Sequence, residues 1–216
     1  MSDKLRVMIG TPHNRIFTPE YVLSYSQTLL DLMGKYDMGL SVAESAQIFL
    51  NRNIIVSHAV EHKVDYLIFV DTDMMWTPAH IEKLIDSNKD VIGGLCTTRK
   101  PPFRNCVYES DDGGGVRSIK ETPMVPFRCF AIGSGFLLLR KSVITRIWDE
   151  RYKHGYPFDP IVHNTSYEKS NTLTSFFGED ISFSARLRKM NIDIWCHPDV
   201  RVGHMGSLFC GVKEDE

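Results

Sequence analysis

Val64-Asp65-Tyr66-Leu67-Ile68-Phe69-Val70 is apolar at nearly every position and stops at an acidic triplet, Asp71-Thr72-Asp73. A strand with one wet face alternates apolar and polar residues, whereas an unbroken apolar run predicts a parallel strand covered by helices on both faces. Upstream, Leu5 to Gly10 reads as another buried strand and Thr11-Pro12-His13-Asn14 as a loop. Thr18-Pro19-Glu20 then supplies an N-cap with proline at the first helical position. Tyr21, Tyr25, Leu29, Leu32 and Met33 follow at helical spacing, with Gly34 as terminator. Leu40 to Ser45 fits either a strand or an irregular link, and Ser45 to His62 fits an amphipathic helix. Downstream, Thr77-Pro78 opens a short helix to Ile85, and Asp90 to Leu95 is a further buried strand. Alternation of this kind predicts an α/β, doubly wound open sheet, mainly parallel, with flanking helices.

Past Arg99 the rhythm changes. Asn105 to Ser110 and Val116 to Glu121 flank Asp111-Asp112-Gly113-Gly114-Gly115, a small antiparallel hairpin. Phe130 to Arg140 reads as a strand entering a helix near Ser142 to Tyr152, and His154 to Phe177 lacks periodicity, as functional or disordered loops do. A helix from Gly178 to Met190 and two short strands, Ile192 to Cys196 and Arg201 to His204, complete the chain. At 216 residues the expectation is one domain over 1–216, with its two halves dividing near 98–99.

Composition narrows the partners. Hydrophobic residues at 43% and charged residues at 24% support a packed core. A net charge of -2 gives no general attraction to nucleic acid or to an anionic membrane, so neither is expected as a partner. Cys96, Cys106, Cys129, Cys196 and Cys210 form no CxxC pair and read as reduced thiols. Without a signal-like or membrane-spanning apolar run, the expected location is cytoplasmic.

Chemistry concentrates at Asp71 and Asp73. Asp-x-Asp alone recurs by chance, but here it ends a buried strand, and in open α/β sheets ligands bind outside the carboxyl ends of the strands. Residues two apart in extended chain point the same way, so both carboxylates are expected to address one hard cation, Mn2+ or Mg2+. The competing reading is a pair of solvated turn aspartates preceding the helix at Thr77. His58 and His62 lie at i, i+4 without the order of a zinc motif and read as a solvated face. Trp76 reads as packing, with stacking on a ligand as the alternative.

Five segments resemble one family. They are Val7-Met8-Ile9-Gly10-Thr11-Pro12, Asn51-Arg52-Asn53, Asp71-Thr72-Asp73, Gly133-Ser134-Gly135-Phe136 and Gly178-Glu179-Asp180. Together they resemble the GT-A (Rossmann-like) glycosyltransferases, including small soluble bacterial and large-algal-virus domains. The resemblance implies a sugar-nucleotide donor, UDP-linked, and a glycan or other hydroxyl acceptor. It places Asp71, Asp73 and His204 on the metal, and Thr11, Pro12, Arg52, Asn53, Asp71, Thr72, Ser134 and Gly135 on the nucleotide sugar. Asp180 becomes the general base of an inverting reaction, with Glu179 beside it on the sugar hydroxyls. Asn51 departs from the small residue usual at its position. Two other classes stand against this reading: a haloacid dehalogenase-type phosphatase with Asp71 as nucleophile, and a non-catalytic sugar-nucleotide-binding module. The phosphatase motif follows the first strand and has Thr or Val where Met75 stands here.

Overall fold

The computed structural model of the chain describes residues 4–13, 16–110, 115–166 and 172–206. Asn14, the hairpin tip at 111–114, residues 167–171 within the aperiodic stretch and Cys210 lie outside them. In chain order the elements are β1 (Arg6–His13), α1 (Pro19–Leu32), β2 (Asp37–Glu44), α2 (Ile48–Glu61), β3 (Tyr66–Val70), β4 (Met74–Met75), α3 (Pro78–Asp86) and β5 (Val91–Leu95). Next come β6 (Val107–Ser110), β7 (Val116–Ser118), β8 (Phe127–Arg128), β9 (Ala131–Ile132), β10 (Phe136–Arg140), α4 (Lys141–Asp149) and α5 (Arg151–His154). β11 (Val162–Ser166), β12 (Thr172–Phe176), α6 (Glu179–Lys189), β13 (Trp195–Arg201) and β14 (Gly203–His204) follow.

A seven-stranded sheet in the order β2-β1-β3-β10-β5-β13-β8 forms the centre. The β1–β2, β1–β3 and β5–β13 pairs are parallel, as the βαβ rhythm predicts. Two strands depart from this: β10 inserts antiparallel between β3 and β5, and the edge strand β8 pairs antiparallel with β13. β3 has the two-sided burial expected of its sequence. Leu67 and Phe69 pack with α2, α4 and α6 through Ile55, Val56, Ile144 and Leu187. Ile68 and Val70 pack on the opposite face with α1 and α3 through Tyr21, Leu32, Ile81 and Leu84.

Several sequence expectations resolve or change. Leu40 to Glu44 belongs to a strand, β2, which pairs with β1 from Arg6↔Asp37 to His13↔Glu44 and ends one residue short of Ser45. That pairing extends β1 through Thr11, Pro12 and His13, where a loop was expected. Phe130 to Arg140 is two strands, β9 and β10, separated by the Gly133–Gly135 turn. The final strands redistribute into β13 and the short β14, which pairs with β4 across His204↔Met74. The Asn105–Glu121 hairpin is present as β6–β7, with β9 added at its side. Among the described residues no helix is long and apolar enough to cross a membrane.

The fold positions a site through the last rungs of the ladder. β10 runs against β3, so the turn before β10 lies at the carboxyl end of β3. The Asp71 N–H donates to the Gly135 carbonyl at 3.0 Å, one step past the Phe136↔Val70 pair. The acidic triplet and the Gly-Ser-Gly turn, 64 residues apart at Asp71 and Gly135, thereby become neighbours.

Candidate active site

Arg52 organises one side of the site. Its Nη2 lies 2.9 Å from Asp71 Oδ1 and 3.2 Å from Oδ2, and Nη1 donates to the Ser134 carbonyl at 3.2 Å. Its Nε approaches Glu179 Oε1 at 4.0 Å. The side chain is 1% exposed, with its guanidinium 5.5 Å and 5.8 Å from the ring centres of Phe69 and Phe158. Burial works against this charge, but the carboxylates of Asp71, Asp180 and Glu179 outweigh it and hold the guanidinium charged. One helix residue thus ties together the end of β3, the turn before β10 and the start of α6.

Asp180 opens α6 beneath the same turn. The Ser134 N–H donates to its Oδ1 at 3.1 Å. Burial is the largest influence on the carboxyl; Glu179 and Asp71 add to it while Arg52 and the Ser134 N–H oppose, leaving a pKa raised to about 6. The residue as a whole stays partly exposed. Gly135 is required by close approach, since a Cβ there would stand 2.3 Å from Met74 Cε and 3.1 Å from Asp71 Oδ2.

Asp73 faces the other way. The triplet is not extended: Met74 N–H closes a turn onto the Asp71 carbonyl at 3.1 Å, so the two carboxylates do not project in parallel as an extended chain would make them. Asp73 Oδ2 pairs with Arg99 Nη2 at 2.8 Å, and Oδ1 lies 3.6 Å from His204 Nε2. His204 Nδ1 lies 2.6 Å from the Thr97 carbonyl and Nε2 lies 2.7 Å from Arg99 Nε. A carbonyl only accepts and a guanidinium only donates, so Nδ1 carries the hydrogen and the Nε2 lone pair points inward. A backbone carbonyl that fixes this tautomer is the usual support of a metal-binding histidine. β14 supplies the placement, through its pairing with β4 and the Met205 N–H donated to the Asp73 carbonyl at 2.8 Å.

A cleft of about 500 Å³ runs along Pro12, His13, Thr18, Asn51, Asp71, Thr72, Asp73, Arg99 and Lys100, within the size range of small-molecule sites. Of the residues singled out in the sequence, it brings together Pro12, Asp71, Thr72 and Asp73. Other candidates lie elsewhere. Thr11 is fully buried with its Oγ1 2.5 Å from the Tyr21 hydroxyl. Asn53 clamps the 158–159 segment, donating to Asp159 at 2.9 Å and accepting from the Phe158 N–H at 2.9 Å. Trp76 is packing, buried with Nε1 donating to Thr28 at 3.0 Å. Arg99 had no place in the sequence reading.

A divalent ion is a chemical match for this donor set. Asp73 Oδ1 is buried without a protein hydrogen-bond partner, and His204 Nε2, whose lone pair accepts from Arg99, lies 3.6 Å from it: a hard oxygen and an imidazole nitrogen. Among the described residues no three His, Cys, Asp or Glu side chains already converge as a cage. Asp71 is drawn towards Arg52 instead, which leaves part of its four-lone-pair capacity for the cleft.

No protein-family model matches the sequence, and no curated protein matches it. Solved structures do match in shape. A197 from STIV superposes with a TM-score of 0.54 at 14% identity, over 98% of this chain and 100% of that one. GalNAc-T7, solved with UDP, GalNAc and Mn2+, gives 0.53 at 12% identity over 96% of this chain; the match spans 45% of the GalNAc-T7 chain. The mixed seven-stranded sheet, its flanking helices and these two superpositions together give the chain the fold of the GT-A-type glycosyltransferases.

Proposed function

We propose that the chain is a metal-dependent glycosyltransferase that moves a sugar from a nucleoside diphosphate, UDP, to a glycan or other hydroxyl acceptor. The observation that carries this is the Asp73–His204 pair, a buried carboxylate oxygen lacking a protein partner and a correctly tautomerised imidazole facing it across 3.6 Å. Asp73 and His204 would hold Mn2+ or Mg2+, with Asp71 completing the set from the same cleft. When bound, the ion neutralises the diphosphate and stabilises the charge that it carries away. That GalNAc-T7 was solved with UDP, GalNAc and Mn2+ supports the same pairing of ion and donor here.

The remaining roles belong to the chain's own groups. Pro12 and Thr72 shape the nucleotide side of the cleft; Thr11 is buried next to Pro12, and Asn53 holds the 158–159 segment on the same helix as Arg52. Arg52 fixes Asp71 and the Ser134-Gly135 turn, so that donor-facing backbone and carboxylate keep one geometry. Asp180 accepts the proton of the acceptor hydroxyl as that oxygen attacks the anomeric carbon, and Glu179 orients sugar hydroxyls beside it. A carboxyl titrating near 6 is ionised at neutral pH yet basic enough for this task. The overall fold favours this reading over the aspartate-nucleophile phosphatase. The test is a panel of nucleotide sugars scored for Mn2+-dependent binding and slow donor hydrolysis. One donor hydrolysed by the wild type and spared by Asp73→Asn supports it; no hydrolysis and no metal-dependent binding of any donor refutes it.

A further inference from the structure

Arg99 follows β5 on the segment that faces β14, and its guanidinium sits where a cation would. Nη2 is 2.8 Å from Asp73 Oδ2, and Nε donates to His204 Nε2 at 2.7 Å. These contacts engage one of the two Asp73 carboxylate oxygens and the only lone pair of the His204 ring. A divalent ion held by the same two side chains needs that lone pair, which one occupant at a time can use. The Arg99 side chain is 55% exposed, so water re-solvates it readily once displaced. It then remains tethered at the mouth of the cleft, beside Lys100, where it is repelled by a divalent ion and attracted by a diphosphate. Guanidinium groups pair with phosphate through a planar fork of N–H donors.

We propose that Arg99 is a resident cation on Asp73 and His204 that yields to the divalent ion and passes to the donor's diphosphate, coupling ion binding to nucleotide binding. This rests on the glycosyltransferase reading above and adds the coupling to it. Without nucleotide the ion competes with an internal cation and binds weakly. With the diphosphate present, Arg99 gains a second partner and the competition is relieved. Linkage makes the effect reciprocal, so the ion tightens the nucleotide by the same factor.

The experiment is Mn2+ titration, followed by the electron paramagnetic resonance of the free ion, on the intact chain with and without UDP. Wild type, Arg99→Gln and Arg99→Lys are compared after circular dichroism shows matching folds. Expected for Arg99→Gln is about tenfold tighter Mn2+ binding in the absence of UDP, and a smaller gain than wild type when UDP is added. Arg99→Lys, which keeps the charge and loses the fork, falls between the two. Equal or weaker Mn2+ binding by Arg99→Gln overturns the coupling while leaving the metal site intact. Failure of every protein to bind Mn2+, with or without UDP, overturns the metal reading and the coupling with it.

Discussion

Arg52 and Asp71 form a buried ion pair, 2.9 Å from Nη2 to Oδ1, that joins α2 to the end of β3. Removing the buried Arg52 charge leaves Asp71, Asp180 and Glu179 without their shared cation, and breaking a buried pair of this kind typically costs about 3–5 kcal/mol. Arg52→Met should therefore lower the melting temperature by roughly 10 °C in a domain of this size. Thermal unfolding at neutral pH checks it. A change within about 2 °C means that Arg52 does not hold the site together.

Asp180 gives a pH signature in two measurements. As the proposed general base it must be ionised, so the rate of transfer should fall as pH drops through about 6 and level off above. Stability runs the other way: because its folded pKa lies above the unfolded value of about 3.9, the neutral carboxyl is favoured in the fold, and its contribution is lost as pH rises through about 6. Asp180→Asn stays neutral throughout. It should abolish transfer and gain thermal stability over wild type at pH 8, the gap closing at pH 4.

His204 must be neutral to offer Nε2 to a metal. Burial disfavours its charged form, but the adjoining Asp73 carboxylate more than offsets this, raising its pKa above the ordinary histidine value. A proton therefore competes with the ion, and Mn2+ affinity should climb as pH rises through that pKa. Calorimetric titrations across pH 5.5–8.5 test this. His204→Ala should weaken binding by at least the roughly 10–100-fold seen when a metal histidine merely loses its support, and flatten the pH dependence.

Gly135→Ala places a methyl against Met74 and the Asp71 carboxylate. The Met74 end yields by rotating, but it is buried, so a cost of about 1–3 kcal/mol is expected from overpacking. Asp71 must shift as well. Chemical denaturation should show the loss, and donor affinity measured on the folded variant should fall with it.

Where the sequence was legible, the signal was local. β3 announced itself through two-sided apolarity, and α1 and α3 through a threonine cap followed by proline. The antiparallel insertion of β10 was not legible, because Leu137 to Leu139 would suit a parallel strand equally well and only tertiary pairing chose their direction. β2 read ambiguously because it is an edge strand whose Leu40 and Val42 are exposed. At the site, strand-end position singled out Asp71 and Asp73, but it misled on their aim, since the turn at Asp71–Met74 sends them to different partners. Arg52 was legible as a candidate and not as a buried residue; nothing in a basic side chain's identity says which carboxylate it will meet. Arg99 went unread: it lies past the end of β5, at the same sheet edge as the acidic pair, and that position was the one signal that could have pointed to it.

Asp73 and His204 are proposed to bind a divalent ion that in turn holds a nucleoside diphosphate. Titration of UDP into the wild type and Asp73→Asn, each in Mn2+ and again in a chelator, tests it most directly. UDP should bind the wild type in Mn2+ alone, with binding lost in chelator and in the variant. Equal UDP affinity in all four titrations, or none in any, would contradict it.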